Sequence, residues 1–145
     1  MVFYGFININ IMIKTENLMI EDWLLYKSDS LENAFPIQIT REMFNKELVV
    51  WNDRFEPIPL TPEILEKNGF EIIDNMYPFP TFRCDDRENY LCITIGFPEG
   101  NKTRRKYPFI EIYGKDIYVD YLIINFVHQL QHALKLCGIE KEIKV

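Results

Sequence analysis

Asp120-Tyr-Leu-Ile-Ile-Asn-Phe-Val-His-Gln-Leu-Gln-His-Ala-Leu-Lys-Leu-Cys137, followed by Gly138, is the longest segment of the chain with helical periodicity. At 100° per residue, its apolar side chains form one stripe: Ile123, Phe126, Val127, Leu130, Ala133, Leu134 and Cys137. The opposite face carries polar side chains: Asn125, His128, His132 and Lys135. Asp120 suits an N-cap, and Gly138 suits a left-handed helix end. The pattern predicts a helix over residues 120–137 that packs on a sheet.

The chain before this helix alternates short β-prone runs with polar or proline-containing turns. Four runs predict a small, barrel-like antiparallel β-subdomain over residues 1–58: residues 20–26, 35–40, 47–51 and 54–58. A short helix follows, with Thr61 as its N-cap, Pro62 as its first residue, and Asn68-Gly69 at its end.

Further runs predict an antiparallel sheet within residues 59–145: 70–73, 90–97, 107–113 and 117–119, with an edge strand or extended loop at 77–83 and a last edge strand at 142–145. We therefore predict an α+β fold, with an N-terminal β-subdomain, a short helix, and an antiparallel sheet packed by the C-terminal helix. Residues 1–58 and 59–145 form either two subdomains or one compact domain.

Bulk composition argues against several classes of protein. The net charge of −6 disfavours non-specific nucleic-acid binding, which depends on Lys and Arg neutralising phosphates. Three cysteines without a CxxC pair indicate reduced thiols in a cytoplasm. No apolar run approaches the roughly 18 residues that span a membrane. Residues 1–11 are apolar but lack a signal peptide's basic start, so they are either an over-extended start or a short strand.

His128-Gln-Leu-Gln-His132 is the motif with the most distinctive chemistry. Histidines at positions i and i+4 share a helix face and could bind one zinc ion together. The zincin motif also needs a glutamate after the first histidine as general base, and this chain has Gln129 there. We therefore expect no metal cofactor and a solvated polar helix face, and keep a metal-dependent hydrolase using His128 and His132 as an alternative.

A basic segment, Lys102-Thr-Arg-Arg-Lys106, precedes the aromatic residues Tyr107 and Phe109. Its cations, Lys102, Arg104, Arg105 and Lys106, could hold a phosphate or an acidic partner, with the rings stacking on bases. The simpler interpretation is a solvated hairpin tip whose charges keep a strand edge from aggregating. Nucleic-acid binding through this segment is the second alternative function.

Three stretches together resemble a family of uncharacterised small proteins from gut-bacterial prophages and mobile elements. They are Leu18-Met-Ile-Glu-Asp-Trp-Leu-Leu-Tyr26, Phe55-Glu-Pro-Ile-Pro-Leu-Thr-Pro-Glu-Ile-Leu-Glu-Lys-Asn-Gly-Phe-Glu71 and Phe126-Val-His-Gln-Leu-Gln-His-Ala-Leu-Lys-Leu-Cys-Gly138. The similarity spans roughly residues 12 to 145 and implies a bacterial cytoplasm or a phage-infected cell. It implies no activity, cofactor or catalytic residue.

These observations predict a non-enzymatic accessory protein of a mobile element that acts by binding another macromolecule, most simply a protein. The predicted contact surfaces are the helix face with Asn125, His128, His132 and Lys135, and the basic segment at residues 102–106. Nucleic acid and membrane are not expected partners, and the sequence leaves the oligomeric state open.

Overall fold

The computed structural model describes residues 19, 21–27, 34–45, 54–74, 76–99 and 105–145. The fold is α+β, as predicted, with two antiparallel sheets and a C-terminal helix. The strands are β1 Trp23–Tyr26, β2 Phe35–Gln38, β3 Phe55–Pro57, β4 Glu71–Ile73, β5 Thr81–Asp86, β6 Leu91–Gly96, β7 Phe109–Tyr113 and β8 Tyr118–Ile123. The helices are α1 Arg41–Asn45, α2 Pro62–Lys67 and α3 Val127–Leu136.

The smaller sheet has three strands in the order β2-β1-β3. Its strands lie within the predicted runs 20–26, 35–40 and 54–58, whereas the predicted strand at 47–51 lies outside the described residues. Leu24, Ile39 and Phe55 form a small buried core of their own. Helix α1, five residues long, follows β2 and was not predicted from the sequence.

The larger sheet is a five-stranded meander in the order β4-β5-β6-β7-β8. Strands β4, β6 and β7 lie within predicted runs. For residues 77–83 we expected an edge strand or an extended loop. Residues 77–80 lie outside any strand, whereas residues 81–83 belong to β5, which is no edge strand because it pairs with both β4 and β6. The prolines that suggested an edge, Pro78 and Pro80, come just before the strand begins.

Helix α2 has the ends that the sequence predicts. The Thr61 hydroxyl accepts a hydrogen bond from the Ile64 amide (3.4 Å), and Pro62 is the first helical residue. At the other end, Gly69 has a φ of 81°, which suits glycine. The amides of Gly69 and Phe70 then bond back to the Glu66 and Leu65 carbonyls. Because these signals are local in sequence, they could be recognised without a structure.

Helix α3 is shorter than predicted, covering Val127–Leu136 instead of residues 120–137. Residues 118–123 form β8, which pairs with β7, so Asp120 lies in a strand and caps no helix. Tyr, Val, Leu and Ile fit a pleated strand as well as a helical stripe, and pairing with β7 decides between them. The predicted end is confirmed, since Gly138 has a φ of 71° and the Ile139 amide bonds to the Leu134 carbonyl (2.9 Å).

The last residues of the chain do not form the edge strand predicted at 142–145. They are held by side chains instead of by a neighbouring strand. The Asn68 side chain accepts from the Lys144 amide (2.8 Å) and donates to the Lys144 carbonyl (2.7 Å). The Trp23 indole donates to the Ile143 carbonyl (2.7 Å), so the C-terminal residues connect α2 to the smaller sheet.

The main core lies between the larger sheet, α2 and α3. Its buried side chains include Leu65, Phe70, Phe82, Ile93, Ile95, Ile110, Ile112, Leu130 and Leu134. The other face of the larger sheet carries an aromatic cluster in which Phe79 and Phe109 lie over Gly96. A Cβ atom at Gly96 would lie 2.5 Å from Phe109 Cζ and 2.8 Å from Phe79 Cε2, so this close approach requires glycine.

Gly96→Ala should therefore lower the free energy of unfolding by about 1–3 kcal/mol, the usual cost of overpacking. The matched control is Gly114→Ala, whose Cβ would lie 3.3 Å from the end of the Leu91 side chain, which can move. Urea denaturation of both variants measures the difference. Equal losses in the two variants would contradict the close packing at Gly96.

Candidate functional site

The polar face of α3 packs against the start of β1. The Gln131 side chain accepts from the Trp23 amide (3.0 Å) and donates to the Glu21 carbonyl (2.9 Å). These two bonds satisfy backbone groups at the start of β1 in the way a neighbouring strand would. Gln131 thus joins the C-terminal helix to the smaller sheet.

The Asp22 carboxylate is the centre of this contact. Asp22 is 1% exposed, and its Oδ2 lies 2.7 Å from His132 Nε2 and 2.7 Å from the Met19 amide nitrogen. The preceding residue, Glu21, has a φ of 74°, a conformation that L-residues rarely adopt. The turn into β1 therefore holds a buried carboxylate against the helix.

His128 lies one turn before His132 and is buried, with 8% exposure. Its ring is parallel to that of Phe126 and edge-on to that of His132, at centroid distances of 5.9 and 5.6 Å. Its Nδ1 is buried without a hydrogen-bond partner within the described part of the chain. Burial lowers the pKa of His128, partly opposed by the Asp22 charge. Burial therefore favours the neutral form of the His128 ring.

The expectation of a solvated polar face on α3 was wrong at its centre. His128 is buried, and His132 and Gln131 contact the β1 segment. Asn125 is half-buried, and its carbonyl accepts from the Leu60 amide (2.9 Å). Lys135 is exposed, with its Nζ 3.6 Å from Glu21 Oε2. The helix is amphipathic because its polar face packs on a second polar surface, the start of β1. The periodicity of one helix cannot show that such a second surface exists.

The neighbouring Gln129 has a structural role. Its Oε1 accepts hydrogen bonds from the backbone amides of Asn125 (2.8 Å) and Phe126 (3.2 Å). Through these two bonds the Gln129 side chain caps the start of α3. Among the described residues, no group of three His, Cys, Asp or Glu side chains is arranged to hold a metal ion. The polar side chains described here join α3 to the start of β1.

The basic segment is described only at Arg105 and Lys106, since Lys102 and Arg104 lie outside the described residues. The Arg105 guanidinium carbon lies 4.4 Å from the ring centroid of Phe109, 5.0 Å from that of Tyr121 and 5.1 Å from that of Tyr77. Three rings thus surround one cation. At Arg105, the solvated hairpin tip expected from the sequence is corrected to a packed cation.

Glu111 lies beneath this cation, on the same face of the sheet, and is 2% exposed. The Tyr77 hydroxyl donates to its carboxylate at 2.9 and 3.2 Å, and Arg105 Nη1 lies 3.5 Å away. Burial and the hydrogen bond to Glu111 raise the pKa of Tyr77, so the phenol stays protonated and donates. We call Tyr77, Phe109, Tyr121 and Glu111 the Glu111 cage.

Strand β8 places exposed apolar side chains beside this cage. It is the last strand in the sheet order and, among the described residues, pairs only with β7. Its exposed side chains are Tyr118 (69%), Tyr121 (41%), Leu122 (45%) and Ile123 (42%). Tyr113 and Tyr107, also exposed, lie nearby in β7 and before it. This surface was not predicted, because the sequence pattern of residues 120–123, most of β8, also fits a helix.

Cys84 and Cys92 are free, although β5 and β6 are neighbours. Cys84 opposes Ile93, and Cys92 opposes Asp85, so the two thiols point to opposite faces of the sheet.

Among the described residues, no helix is long and apolar enough to cross a membrane.

Comparisons with protein-family models, curated proteins and solved structures found no match for this chain. The resemblance to prophage proteins therefore stays a prediction, as do the partner and the cellular location.

Acidification from pH 7.5 to 5.5 should destabilise the protein through His128. An unfolded histidine has a pKa of about 6.5, and the pKa of folded His128 lies below its usual value. Between the two pKa values the unfolded state binds more protons, so the free energy of unfolding falls as the pH falls.

Urea denaturation at both pH values, on wild type and His128→Leu, tests this. The chain has two histidines, and His132 and all carboxylates are common to both proteins. The wild type should lose more stability on acidification than the variant does. The same loss in both proteins would show that His128 does not resist protonation.

Proposed function

We propose that the protein acts by binding another protein, and that the contact surface is the β8 margin of the larger sheet. We define the β8 margin as Tyr113, Tyr118, Tyr121, Leu122 and Ile123. The observation that carries the proposal is that a six-residue edge strand exposes four large apolar side chains, each by 41% or more. Tyr118 and Ile123 lie on the sheet face of Tyr113 and Phe109, and Leu122 lies on the opposite face of the same sheet edge. Large apolar side chains exposed together at one edge favour an interaction site there.

The chemistry of the β8 margin matches that of protein interfaces. Tyrosine is enriched at interfaces and at binding hot spots, because it buries a large ring and keeps a hydrogen-bonding hydroxyl. Tyr113 and Tyr118 pack edge-on at a centroid distance of 5.2 Å, and Tyr121 packs on Phe109 at 5.1 Å. These contacts restrict the rings before binding, which reduces the entropy lost on association.

The backbone of β8 favours docking through side chains over the addition of another strand. Between the pairs Ile110–Leu122 and Ile112–Val119, two β8 residues, Asp120 and Tyr121, oppose the single residue Glu111. Such a bulge bends and twists an edge strand, which disfavours continuous pairing with a further strand. We therefore propose a partner with an apolar surface that covers the tyrosine rings.

Two other functions are less well supported. Nucleic-acid binding would need free cations, but the Arg105 guanidinium is engaged by Glu111 and three rings, and the net charge is −6. A hydrolase using His128 and His132 would need both rings to face a shared metal or substrate. Instead, His128 is buried and His132 Nε2 faces Asp22. The resemblance to prophage proteins supports a role in the cytoplasm of a bacterium that carries such an element.

The proposal is tested by placing a photo-crosslinking amino acid at Tyr118 and irradiating living cells of the source organism. We expect one partner protein to be crosslinked at this position, because Tyr118, at 69%, is the most exposed residue of the β8 margin. Tyr90, 77% exposed in the β5–β6 turn, is the matched control position and should give no crosslink to that partner.

Binding of the purified partner then measures the contribution of the β8 margin. Tyr118→Asp should weaken binding by about tenfold or more, as expected at a hot spot. Tyr90→Asp should leave it unchanged, since Asp tolerates the positive φ of 52° at that position. Crosslinks of equal yield from both positions, or equal affinities for both variants, would rule out the β8 margin as the contact surface.

A further inference from the structure

The Glu111 cage has the composition of a receptor for an organic cation. Aromatic rings attract a cation through their negative faces, and a buried carboxylate adds a full opposite charge in a medium of low polarity. The rings come from the segment before β5, from β7 and from β8, so the tertiary fold assembles the cage. The hydrogen bonds from Tyr77 hold the carboxylate in place beneath the rings.

Burying the Glu111 carboxylate on a sheet face costs desolvation free energy. Taking a carboxylate out of water costs several kcal/mol unless charge and hydrogen bonds offset the loss. A threonine occupies the paired position on β6, Thr94, and it is fully buried without any charge. The fold can therefore bury an uncharged polar side chain in this row, whereas the carboxylate at position 111 is buried together with a nearby cation, Arg105, and a hydrogen-bond donor, Tyr77.

Arg105 occupies the cage, with its guanidinium against the three rings. Its Nη1 lies 3.5 Å from one Glu111 oxygen, the outer limit of a hydrogen bond. The Arg105 side chain also stays 35% exposed. A shallow depression lined by Arg105, Lys106, Tyr107 and Tyr121 opens beside it. A cation that arrives from solvent therefore meets the partly exposed Arg105 guanidinium first and would enter the cage by replacing it.

We propose that the Glu111 cage is a binding site for a guanidinium or alkylammonium group. In the isolated chain Arg105 fills this site. In the complex a basic side chain of the protein partner replaces Arg105 there. The part played by the partner rests on the protein-binding function proposed above, whereas the cation site does not. Arg105 acts as an internal competitor, so it lowers the apparent affinity for any external cation.

The cation site is tested with N-ethylguanidinium as the probe, using the change in tyrosine NMR signals on titration. Arg105→Ala should bind N-ethylguanidinium about tenfold or more tightly than wild type does, because the internal competitor is gone. N-ethylurea has nearly the same shape without the charge, and it should not bind detectably. If Arg105→Ala binds the cation no better than wild type, or binds N-ethylurea equally well, the cation site is refuted.

Two further variants separate the cage from a general effect on folding. In the Arg105→Ala background, Glu111→Gln should abolish binding of the probe, because it removes the charge and keeps the shape. Should that variant not fold, Tyr121→Leu in the same background serves instead, since Tyr121 is 41% exposed at the sheet edge and its loss removes one ring. Probe binding unchanged by the loss of the carboxylate or of the ring would place the cation elsewhere and overturn the proposal.

The displacement of Arg105 has its own test in the crosslinking experiment at Tyr118. Arg105→Ala should keep or increase the crosslinked partner, because the cage becomes open to the partner's cation. A clear loss of crosslink would mean that Arg105 itself contacts the partner, which would overturn the displacement while leaving the protein-binding function standing. If position 118 captures no partner, the binding function fails, and the probe titration still decides the cation site.

Discussion

The contact between Asp22 and His132 is the interaction on which the joining of the two sheets depends. A buried carboxylate must have partners, and leaving a buried polar group unsatisfied costs about 1–3 kcal/mol, more when the group is charged. Asp22 takes one partner from its own turn, the Met19 amide, and one from α3, His132. The three-stranded sheet is thereby fixed to the helix that packs the five-stranded sheet. Gln131 and the Trp23 indole strengthen the same joint.

This joint explains why the two-histidine motif on α3 does not resemble a metal site in the folded protein. The ring of His132 is oriented by a carboxylate 110 residues earlier in the chain, and His128 is covered. Gln129, in the position where a zincin has its general base, caps the helix instead. Each polar side chain of the motif thus satisfies a structural requirement at the junction. The exposed apolar side chains described above lie elsewhere in the fold, on β8.

The parts of the fold that depend on local signals could be predicted from the sequence. Thr61, Pro62 and Gly69 define α2 by themselves, and Gly138 defines the end of α3. The start of α3 could not be predicted, because residues 118–123 fit a helical stripe and become a strand only by pairing with β7. The two buried carboxylates were missed because one partner of each is distant in sequence: His132 lies 110 residues from Asp22, and Tyr77 lies 34 residues from Glu111. One signal was present: Glu111 interrupts the apolar run Phe109-Ile-Glu-Ile112, where a buried strand would not ordinarily carry a charge.

The central claim is that the polar face of α3 serves as the joint between the two sheets, and amide hydrogen exchange in Asp22→Ala tests it most directly. The amides of Leu24, Leu25 and Tyr26 in β1 report on the smaller sheet, and those of Ile93 and Ile95 in β6 report on the larger one. Our account predicts that the variant loses about tenfold or more of the protection in β1, equivalent to about 1.4 kcal/mol, while β6 keeps its protection. Unchanged protection in β1, or an equal loss in β1 and β6, would contradict it.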